Sequence, residues 1–133
     1  VAQCTNDRDI LKQCLDAIDA LYRPPMKYCL CHNDLSRENL IEASSGLVAI
    51  DWEYARLGDP AFDVAVLAEM SALTDDQLDF LVDAYGGDGN IRERLPGARL
   101  LYALIEILWW MVAEGTTAAV AERLNGLKRR LSF

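Results

Sequence analysis

A run of polar residues around Asp34 carries the side chains of this sequence that are best suited to chemistry. The run from Cys31 to Asn39 reads Cys-His-Asn-Asp-Leu-Ser-Arg-Glu-Asn, and Asp51 follows twelve residues after Asn39. A carboxylate can accept or orient the proton of a hydroxyl group, while an amide oxygen and a second carboxylate can hold Mg²⁺ against the phosphates of ATP. The residue types and their spacing therefore indicate phosphoryl transfer, with Asp34 as the base and Asn39 and Asp51 as Mg²⁺ ligands.

Two short apolar runs must position these side chains. Residues 28–31 and 47–50 are predicted strands. Asp34 lies in the loop that follows the first strand, and Asp51 directly follows the second. Residues 39–42 are expected to pair with 47–50 as a hairpin, because Gly46 can supply the turn. That hairpin would fix the distance between the two metal ligands. In a competing interpretation Asp34 and Asn39 only form turns, but that does not explain why a third residue, the acidic Asp51, follows at the end of the second strand.

The same residues carry a resemblance to kinases. The histidine, aspartate and asparagine of residues 32–39 fall in register with the His-Arg-Asp-Leu-x-x-x-Asn signature of protein kinases, with Asn33 in place of arginine. Residues 51–55, Asp-Trp-Glu-Tyr-Ala, and 58–63, Gly-Asp-Pro-Ala-Phe-Asp, resemble instead the superfamily of choline/ethanolamine kinases, thiamine kinases and aminoglycoside phosphotransferases. The resemblance covers residues 28–70 most closely.

This resemblance implies an α+β fold, the mostly helical C-terminal lobe of a protein-kinase-like phosphotransferase that uses ATP and Mg²⁺. In such a lobe His32 would brace the catalytic loop. The sequence has no Gly-rich phosphate loop, and neither Lys12 nor Lys27 has the Val-Ala-Ile-Lys context of a phosphate-binding strand. We therefore expect residues 1–133 to form a single C-terminal catalytic lobe, with the N-terminal nucleotide-binding lobe absent from this chain. An isolated, non-catalytic lobe fragment is the alternative.

A candidate site for the phosphate acceptor lies on a long apolar segment. Tyr102, Glu106 and Trp110 are four residues apart, so they share one face of a helix. A carboxylate between two aromatic rings can bind a quaternary or protonated nitrogen by charge and by cation–π attraction. The resemblance to choline kinases adds Glu69 as an acidic cleft residue and assigns the cation-contacting tryptophan to Trp110.

Two simpler interpretations of this helix stay open. Most tryptophans on an apolar helix belong to the core, and Glu106 could pair with Arg99 or Arg123 instead of with a substrate. The acceptor expected from the resemblance is a small cationic alcohol of the choline, ethanolamine or thiamine type, with aminoglycosides as an alternative. A phosphohydrolase that uses Asp34 as a nucleophile is a further reading.

Composition narrows the range of partners. The net charge of −8 argues against nucleic acid and anionic membranes as partners and suits a cationic substrate, while 52% hydrophobic residues indicate a folded domain. The four cysteines predict reduced thiols in a cytoplasmic protein. Cys29, Cys31 and His32 lack a fourth ligand at recognisable spacing, which disfavours a zinc site.

Helical periodicity accounts for most of the remaining chain. The predicted helices cover residues 6–22, 61–73, 75–85 and 98–114, and a last segment that follows Thr116 and Thr117. Thr5 or Asn6 is expected to cap the first helix, and Thr74 to cap the third. Asp63, in the first turn of the second helix, is expected to anchor the helix terminus, with hydrogen bonds back to loop amides as the alternative. Residues 53–59 are predicted to be a loop, and residues 91–95 a short turn before Pro96. The 98–114 helix is not expected to span a membrane, because Arg99 and Glu106 interrupt it.

Overall fold

The computed structural model describes residues 2–25, 27–86, 90–115 and 117–131, with side chains from residue 8 onward. Five helices and four short strands follow one another along these residues, which confirms the predicted α+β, mostly helical class. In order they are α1 Ala2–Leu21, β1 Cys29–Cys31, β2 Leu40–Ala43, β3 Gly46–Ala49, β4 Arg56–Gly58, α2 Pro60–Met70, α3 Asp75–Tyr85, α4 Ile91–Glu114 and α5 Ala118–Leu131.

The chain forms two compact units. The strand unit contains Arg23–Arg99, and the helical unit contains Val1–Tyr22 together with Leu100–Phe133. Each unit has its own apolar core. The core of the strand unit is built from buried side chains of α2, α3 and the start of α4, namely Ala61, Val64, Ala65, Ala68, Leu78, Val82, Ile91 and Leu95.

Two antiparallel strand pairs carry the polar loops of the strand unit. The predicted hairpin is confirmed, since β2 pairs with β3 in the register Leu40↔Ala49 to Ala43↔Gly46. The prediction of a loop over 53–59 is wrong in part, because β4 pairs with β1 from Cys29↔Gly58 onward. The backbone groups of β1 need hydrogen-bond partners, and β4 supplies them from a segment whose own sequence shows no alternation.

The buried helix α2 begins at a capped terminus. Asp59 is its N-cap, and the Asp59 side chain accepts a hydrogen bond from the backbone N–H of Ala61, while Pro60 occupies the first helical position. The helix ends at Met70, three residues before the predicted end. The next helix, α3, has the predicted cap, in which Thr74 and Gln77 form a reciprocal capping box.

The helical unit packs α1, α5 and the second part of α4 around one core. Its buried residues are Ile10, Cys14, Leu100, Leu104, Ile107, Val120, Leu124 and Leu127. Val120, Leu124 and Leu127 of α5 face this core, and Thr117 caps the helix by accepting from the N–H of Val120. The capping prediction for α1 is wrong, because the helix begins at Ala2 and thus includes residues 5 and 6. Residues 87–89, which follow the predicted third helix, and Thr116, which precedes the predicted last helix, lie outside the described residues.

The helix α4 corrects another prediction. It runs without interruption from Ile91 to Glu114 and contains Pro96, which had been expected to separate a turn from the helix. Packing of Ile91 and Leu95 into the core of the strand unit holds the first turns helical despite the missing N–H of the proline. By length and composition, with a mean hydropathy of 1.4, α4 is the one helix among the described residues that could cross a membrane.

Candidate active site

The loop after β1 is held by a carboxylate from α2. Asp63, in the first turn of α2, accepts hydrogen bonds at 2.8 Å from the backbone N–H groups of His32 and of Asn33. Asp63 is only 5% exposed. Hydrogen bonds to an ionised acceptor are stronger than neutral ones, so this pair fixes the loop backbone directly before Asp34. The sequence favoured a helix-terminus role for Asp63 and left hydrogen bonds to loop amides as the alternative, and these contacts show that Asp63 binds the loop amides.

His32 lies buried beneath the loop and bridges it to the segment after β3. The backbone N–H of Asp34 points to Nδ1 of His32 at 3.3 Å, and Nε2 of His32 lies 2.7 Å from the carbonyl oxygen of Ile50. Because Nδ1 accepts, Nε2 carries the hydrogen and donates to Ile50, which is the neutral tautomer. The ring also lies 4.7 Å from that of Trp52, whose Nε1 donates to the carbonyl of Ala49. This geometry suits a bracing group.

Asn33 joins the loop after β1 to the segment after Asp51. Its Nδ2 donates to the carbonyl oxygen of Cys31 at 3.2 Å and to that of Tyr54 at 2.9 Å. Its backbone adopts φ 65°, a left-handed conformation that Asn tolerates better than most residues. The sequence pattern marked this position only as a replacement for arginine, and the bridge to Tyr54 was not predicted.

The structure brings Asp34 and Asn39 into direct contact. Nδ2 of Asn39 donates to the backbone carbonyl of Asp34 at 2.8 Å and lies 3.2 Å from its carboxylate Oδ2. The carbonyl of Asn39 in turn accepts from the N–H of Ile50 at 2.9 Å. Asn39 is therefore connected on one side to Asp34 and on the other to the residue that precedes Asp51. Because Nδ2 is the donating atom, the amide oxygen is the atom that Asn39 would present to a cation.

Asp51 follows the hairpin as an exposed residue with φ 60°. No three His, Cys, Asp or Glu side chains are grouped as metal ligands anywhere in the described ranges. Mg²⁺ does not require such a cage, because it commonly binds one or two protein oxygens together with phosphates and water. The amide of Asn39 and the carboxylate of Asp51 fit that donor set, and their role as ligands stays a prediction.

The proposed acceptor residues are described in two different units. In the strand unit, Oε1 of Glu69 accepts from Nε of Arg99 at 2.5 Å, and the Glu69 side chain is 18% exposed. In the helical unit, Oε1 of Glu106 accepts from Arg123 at 2.7 Å. The guanidinium of Arg123 also lies 5.3 Å from the ring centroid of Trp110.

A cation is thus present beside the carboxylate and the ring that had been predicted to bind one. The pairing of Glu106 with Arg123 was among the alternatives drawn from the sequence. Tyr102 is partly buried. The assignment of Tyr102, Glu106, Trp110 and Glu69 to a substrate stays a prediction.

The cysteines of β1 pack behind the loop. Sγ of Cys29 and Sγ of Cys31 lie 3.7 Å apart, which confirms that they share one face of the strand. Burial, with added repulsion from the Asp63 carboxylate, raises the pKa of the Cys31 thiol to about 12. Burial and the neighbouring Cys29 raise the pKa of Tyr85 to about 12. Both groups are therefore neutral at ordinary pH.

One buried ion pair near the loop was not predicted. Nε of Arg94, on α4, lies 3.1 Å and 3.0 Å from the two carboxylate oxygens of Asp59, and Arg94 is 3% exposed. The two residues are separated by 35 positions, so no local spacing rule could have paired them. Residues 92–94 are three consecutive charged residues, so no local signal marked Arg94 as the buried one.

Comparison with known proteins matches this chain to phosphotransferases. A profile described as the phosphotransferase enzyme family matches residues 2–101. Protein LicA of Haemophilus influenzae is 34% identical over 105 residues, which are 72% of this chain and 29% of LicA. The viomycin phosphotransferase of Streptomyces vinaceus is 32% identical over 121 residues, which are 86% of this chain and 40% of that protein.

Solved structures give the same result for the fold. Choline kinase LicA from Streptococcus pneumoniae superposes with a TM-score of 0.71 at 25% identity, over 99% of this chain and 49% of that one. A choline/ethanolamine kinase family protein from Mesorhizobium loti has a TM-score of 0.73 at 22% identity, over 95% and 47%. The chain spans about half of these structures and less of the curated relatives. Because the family profile matches well over half of its residues, the chain belongs to the phosphotransferase enzyme family.

Proposed function

We propose that this chain is the catalytic part of an ATP- and Mg²⁺-dependent kinase that phosphorylates the hydroxyl group of a small cationic alcohol of the choline type. The observation that carries the proposal is the contact network of Asn39. One side of its amide group reaches both the backbone and the carboxylate of Asp34, and its backbone pairs with Ile50, next to Asp51. Asn39 thereby contacts the Asp34 carboxylate directly and is joined by one backbone hydrogen bond to the residue that precedes Asp51.

In this proposal Asp34 receives or orients the proton of the acceptor hydroxyl. The hydroxyl oxygen forms the new bond to the γ-phosphorus of ATP, the bond from that phosphorus to the bridging oxygen of ADP breaks, and the proton leaves through the Asp34 carboxylate. The amide N–H of Asn39 at 3.2 Å restrains the carboxylate. Buried Asp63 holds the N–H groups of His32 and Asn33, and the His32 ring accepts from the N–H of Asp34, so that little rearrangement of this backbone is needed during transfer.

Mg²⁺ bound by Asn39 and Asp51 would neutralise charge on the transferred phosphate. The chain itself supplies the positions of these two ligands through the β2–β3 hairpin. Its thiols at Cys14, Cys29 and Cys31 are unpaired, which is compatible with the predicted cytoplasmic setting.

A choline-type acceptor is favoured by the relatives, because the solved LicA structure from Streptococcus pneumoniae is named a choline kinase. The carboxylate of Glu106 and the ring of Trp110 support a cation site, since they already hold the guanidinium of Arg123 between charge and π-face. A second candidate, an antibiotic phosphotransferase, is supported by the similarity to the viomycin enzyme over 86% of the chain.

The experiment offers acceptors with ATP and Mg²⁺ to two proteins. One is this chain alone, and the other is this chain fused to the part of the Streptococcus pneumoniae choline kinase LicA that it does not match. Choline, ethanolamine, thiamine, an aminoglycoside and viomycin are the acceptors, and phosphorylated products are identified by mass. We expect transfer to choline or ethanolamine in the fusion, and a loss of about 10²-fold or more in its Asp34→Ala variant.

The outcomes separate the candidate functions. Transfer to viomycin or the aminoglycoside alone would replace the choline-type proposal by the antibiotic one. A trapped aspartyl-phosphate, an acyl phosphate on the Asp34 carboxylate, would indicate the phosphohydrolase interpretation. Should neither protein transfer phosphate above the Asp34→Ala blank, although the fusion binds ATP, the kinase proposal is refuted and the isolated-lobe alternative stands.

A further inference from the structure

We propose that Arg94 is a positioning residue for the catalytic loop, which it holds through Asp59 and the first turn of α2. Its kinetic consequence rests on the proposed function, whereas its structural consequence does not. Arg94 lies outside the polar run around Asp34. The contacts described for its guanidinium are with Asp59.

The Arg94–Asp59 pair lies largely buried within the strand unit. The side chain of Arg94 is 2% exposed and that of Asp59 is 25% exposed, with Nε between both carboxylate oxygens. Breaking a buried pair is costly because the remaining charge stays in a poorly solvated site. Each partner therefore restricts where the other can lie.

Asp59 transmits this restriction to α2. The same Oδ1 atom that meets Arg94 accepts from the N–H of Ala61 at 2.9 Å, and the carbonyl of Asp59 accepts from the N–H of Phe62. The carboxylate thus satisfies a terminal donor of the helix while it is held from α4. A shift of Asp59 would displace the start of the helix, because these bonds and the proline at position 60 define its first turn.

The first turn of α2 carries the group that holds the loop. Asp63 lies four residues after Asp59 and accepts the N–H groups of His32 and Asn33 at 2.8 Å each. The residue before Asp59, Gly58, pairs with Cys29 of β1, the strand that leads into the loop. Arg94 therefore acts at the junction from which both the helix and the strand reach the catalytic loop.

Arg92 provides a matched control on the same helix. It is two residues away, exposed, and forms ion pairs with Asp79 and Asp83 on α3. Exposed pairs of this kind contribute little to stability. Replacing Arg92 therefore removes a charge from α4 without touching Asp59.

The test compares Arg94→Met with Arg92→Met by backbone amide hydrogen exchange, resolved by NMR. Arg94→Met is expected to accelerate exchange at the N–H groups of His32 and Asn33 by about tenfold or more, relative to the amides of α5. Arg92→Met should leave the same amides within about twofold of wild type. Unchanged exchange at His32 and Asn33 in folded Arg94→Met overturns the proposal.

Two further variants keep the proposal testable if Arg94→Met does not fold. Arg94→Lys retains the charge and loses the guanidinium geometry, and Asp59→Asn retains a good N-cap but loses the charge. Each is expected to accelerate exchange at the N–H groups of His32 and Asn33 by about three- to tenfold. Wild-type exchange in both variants overturns the proposal. Where the double variant of Arg94→Met and Asp59→Asn folds, additive effects would also overturn it, because residues acting through each other are non-additive.

The kinetic readout uses the fusion protein described above, with active sites counted by ATP-binding stoichiometry. Arg94→Met is expected to lower kcat by about tenfold with the KM for ATP within about twofold, and Arg94→Lys to recover part of the loss. A normal kcat per site in Arg94→Met would refute the positioning role. Faster exchange in Arg94→Met, with no transfer even by the wild-type fusion, would refute the proposed function and leave the positional contact intact.

Discussion

Asn33 stabilises the loop after β1 in two separable ways, and substitutions can measure each of them. Its backbone has φ 65°, and its side chain donates to the carbonyls of Cys31 and Tyr54. A net hydrogen bond contributes about 1 kcal/mol, so loss of the two bonds should cost about 2 kcal/mol. In the left-handed region, a residue that has a Cβ and forms no local hydrogen bond costs about 1 kcal/mol more than glycine.

These magnitudes predict an order of stabilities. Asn33→Gly should lower the free energy of unfolding by about 2 kcal/mol, because it loses both bonds but adopts the left-handed conformation readily. Asn33→Ala should lower it by about 3 kcal/mol, since it loses the bonds and also strains the backbone. Asn33→Asp keeps the shape but turns an acceptor toward two carbonyls, so we expect a loss of at least about 3 kcal/mol.

Urea unfolding followed by circular dichroism and tryptophan fluorescence measures these differences. With a slope of about 2 kcal/mol per molar urea, the midpoints should fall by about 1 M for Asn33→Gly and about 1.5 M for Asn33→Ala. The control is Asn125→Ala on the exposed surface of α5, which should change stability by less than about 0.5 kcal/mol. Equal midpoints for the Gly and Ala variants would refute the backbone reasoning, and a wild-type midpoint for Asn33→Asp would refute the role of the two bonds.

Three other predictions concern stability. Asp63→Asn should destabilise the chain by about 2–3 kcal/mol in urea, because it opposes a side-chain donor to a backbone N–H, whereas exposed Asp76→Asn should cost less than about 1 kcal/mol. The folded-state pKa of Cys31 is about 12, above the ordinary value of 9.0. The contribution of the Cys31 thiol to the free energy of unfolding is therefore complete below pH 9. It is lost as pH rises toward 12, at up to about 1.4 kcal/mol per pH unit. Cys31→Ala should flatten this decline in urea midpoints measured from pH 8 to 11. Arg123→Gln, which breaks the pair with Glu106, should cost about 1 kcal/mol or less and lower the KM of the fusion protein for choline.

Each of these expectations has a contrary result. Equal midpoints for Asp63→Asn and Asp76→Asn would mean that the amide contacts of Asp63 add nothing beyond a helix-dipole effect. A decline above pH 9 that is as steep in Cys31→Ala as in wild type would assign the decline to other groups. A higher KM for choline in Arg123→Gln would show that Arg123 does not compete with the acceptor.

Local signals in the sequence predicted the parts of the fold that local energetics determine. The capping box of α3 and the β2–β3 hairpin depend on residues a few positions apart, so their spacing was sufficient. The polar run marked Asp34 and Asn39 as candidate residues of one site, and the structure places them in hydrogen-bond contact.

Parts that depend on distant partners were not predictable in this way. The strand β4 exists because β1 pairs with it, and its three residues carry no strand pattern of their own. Pro96 lies within α4 because core packing and ion pairs hold the turns around it, which outweighs its local preference. The partner of Asn33, Tyr54, is 21 residues away, and no helical or strand period connects them.

The left-handed backbone at Asp51 limits which residue types can serve at that position. Glutamate has a carboxylate as well, yet its longer side chain cannot form the short local bonds that make this conformation tolerable for aspartate and asparagine. The set of residue types accepted at position 51 would therefore be smaller than the proposed role as an oxygen ligand for Mg²⁺ alone predicts. Backbone geometry and metal chemistry would each exclude substitutions that the other accepts, so tolerance at this site reports on both at once.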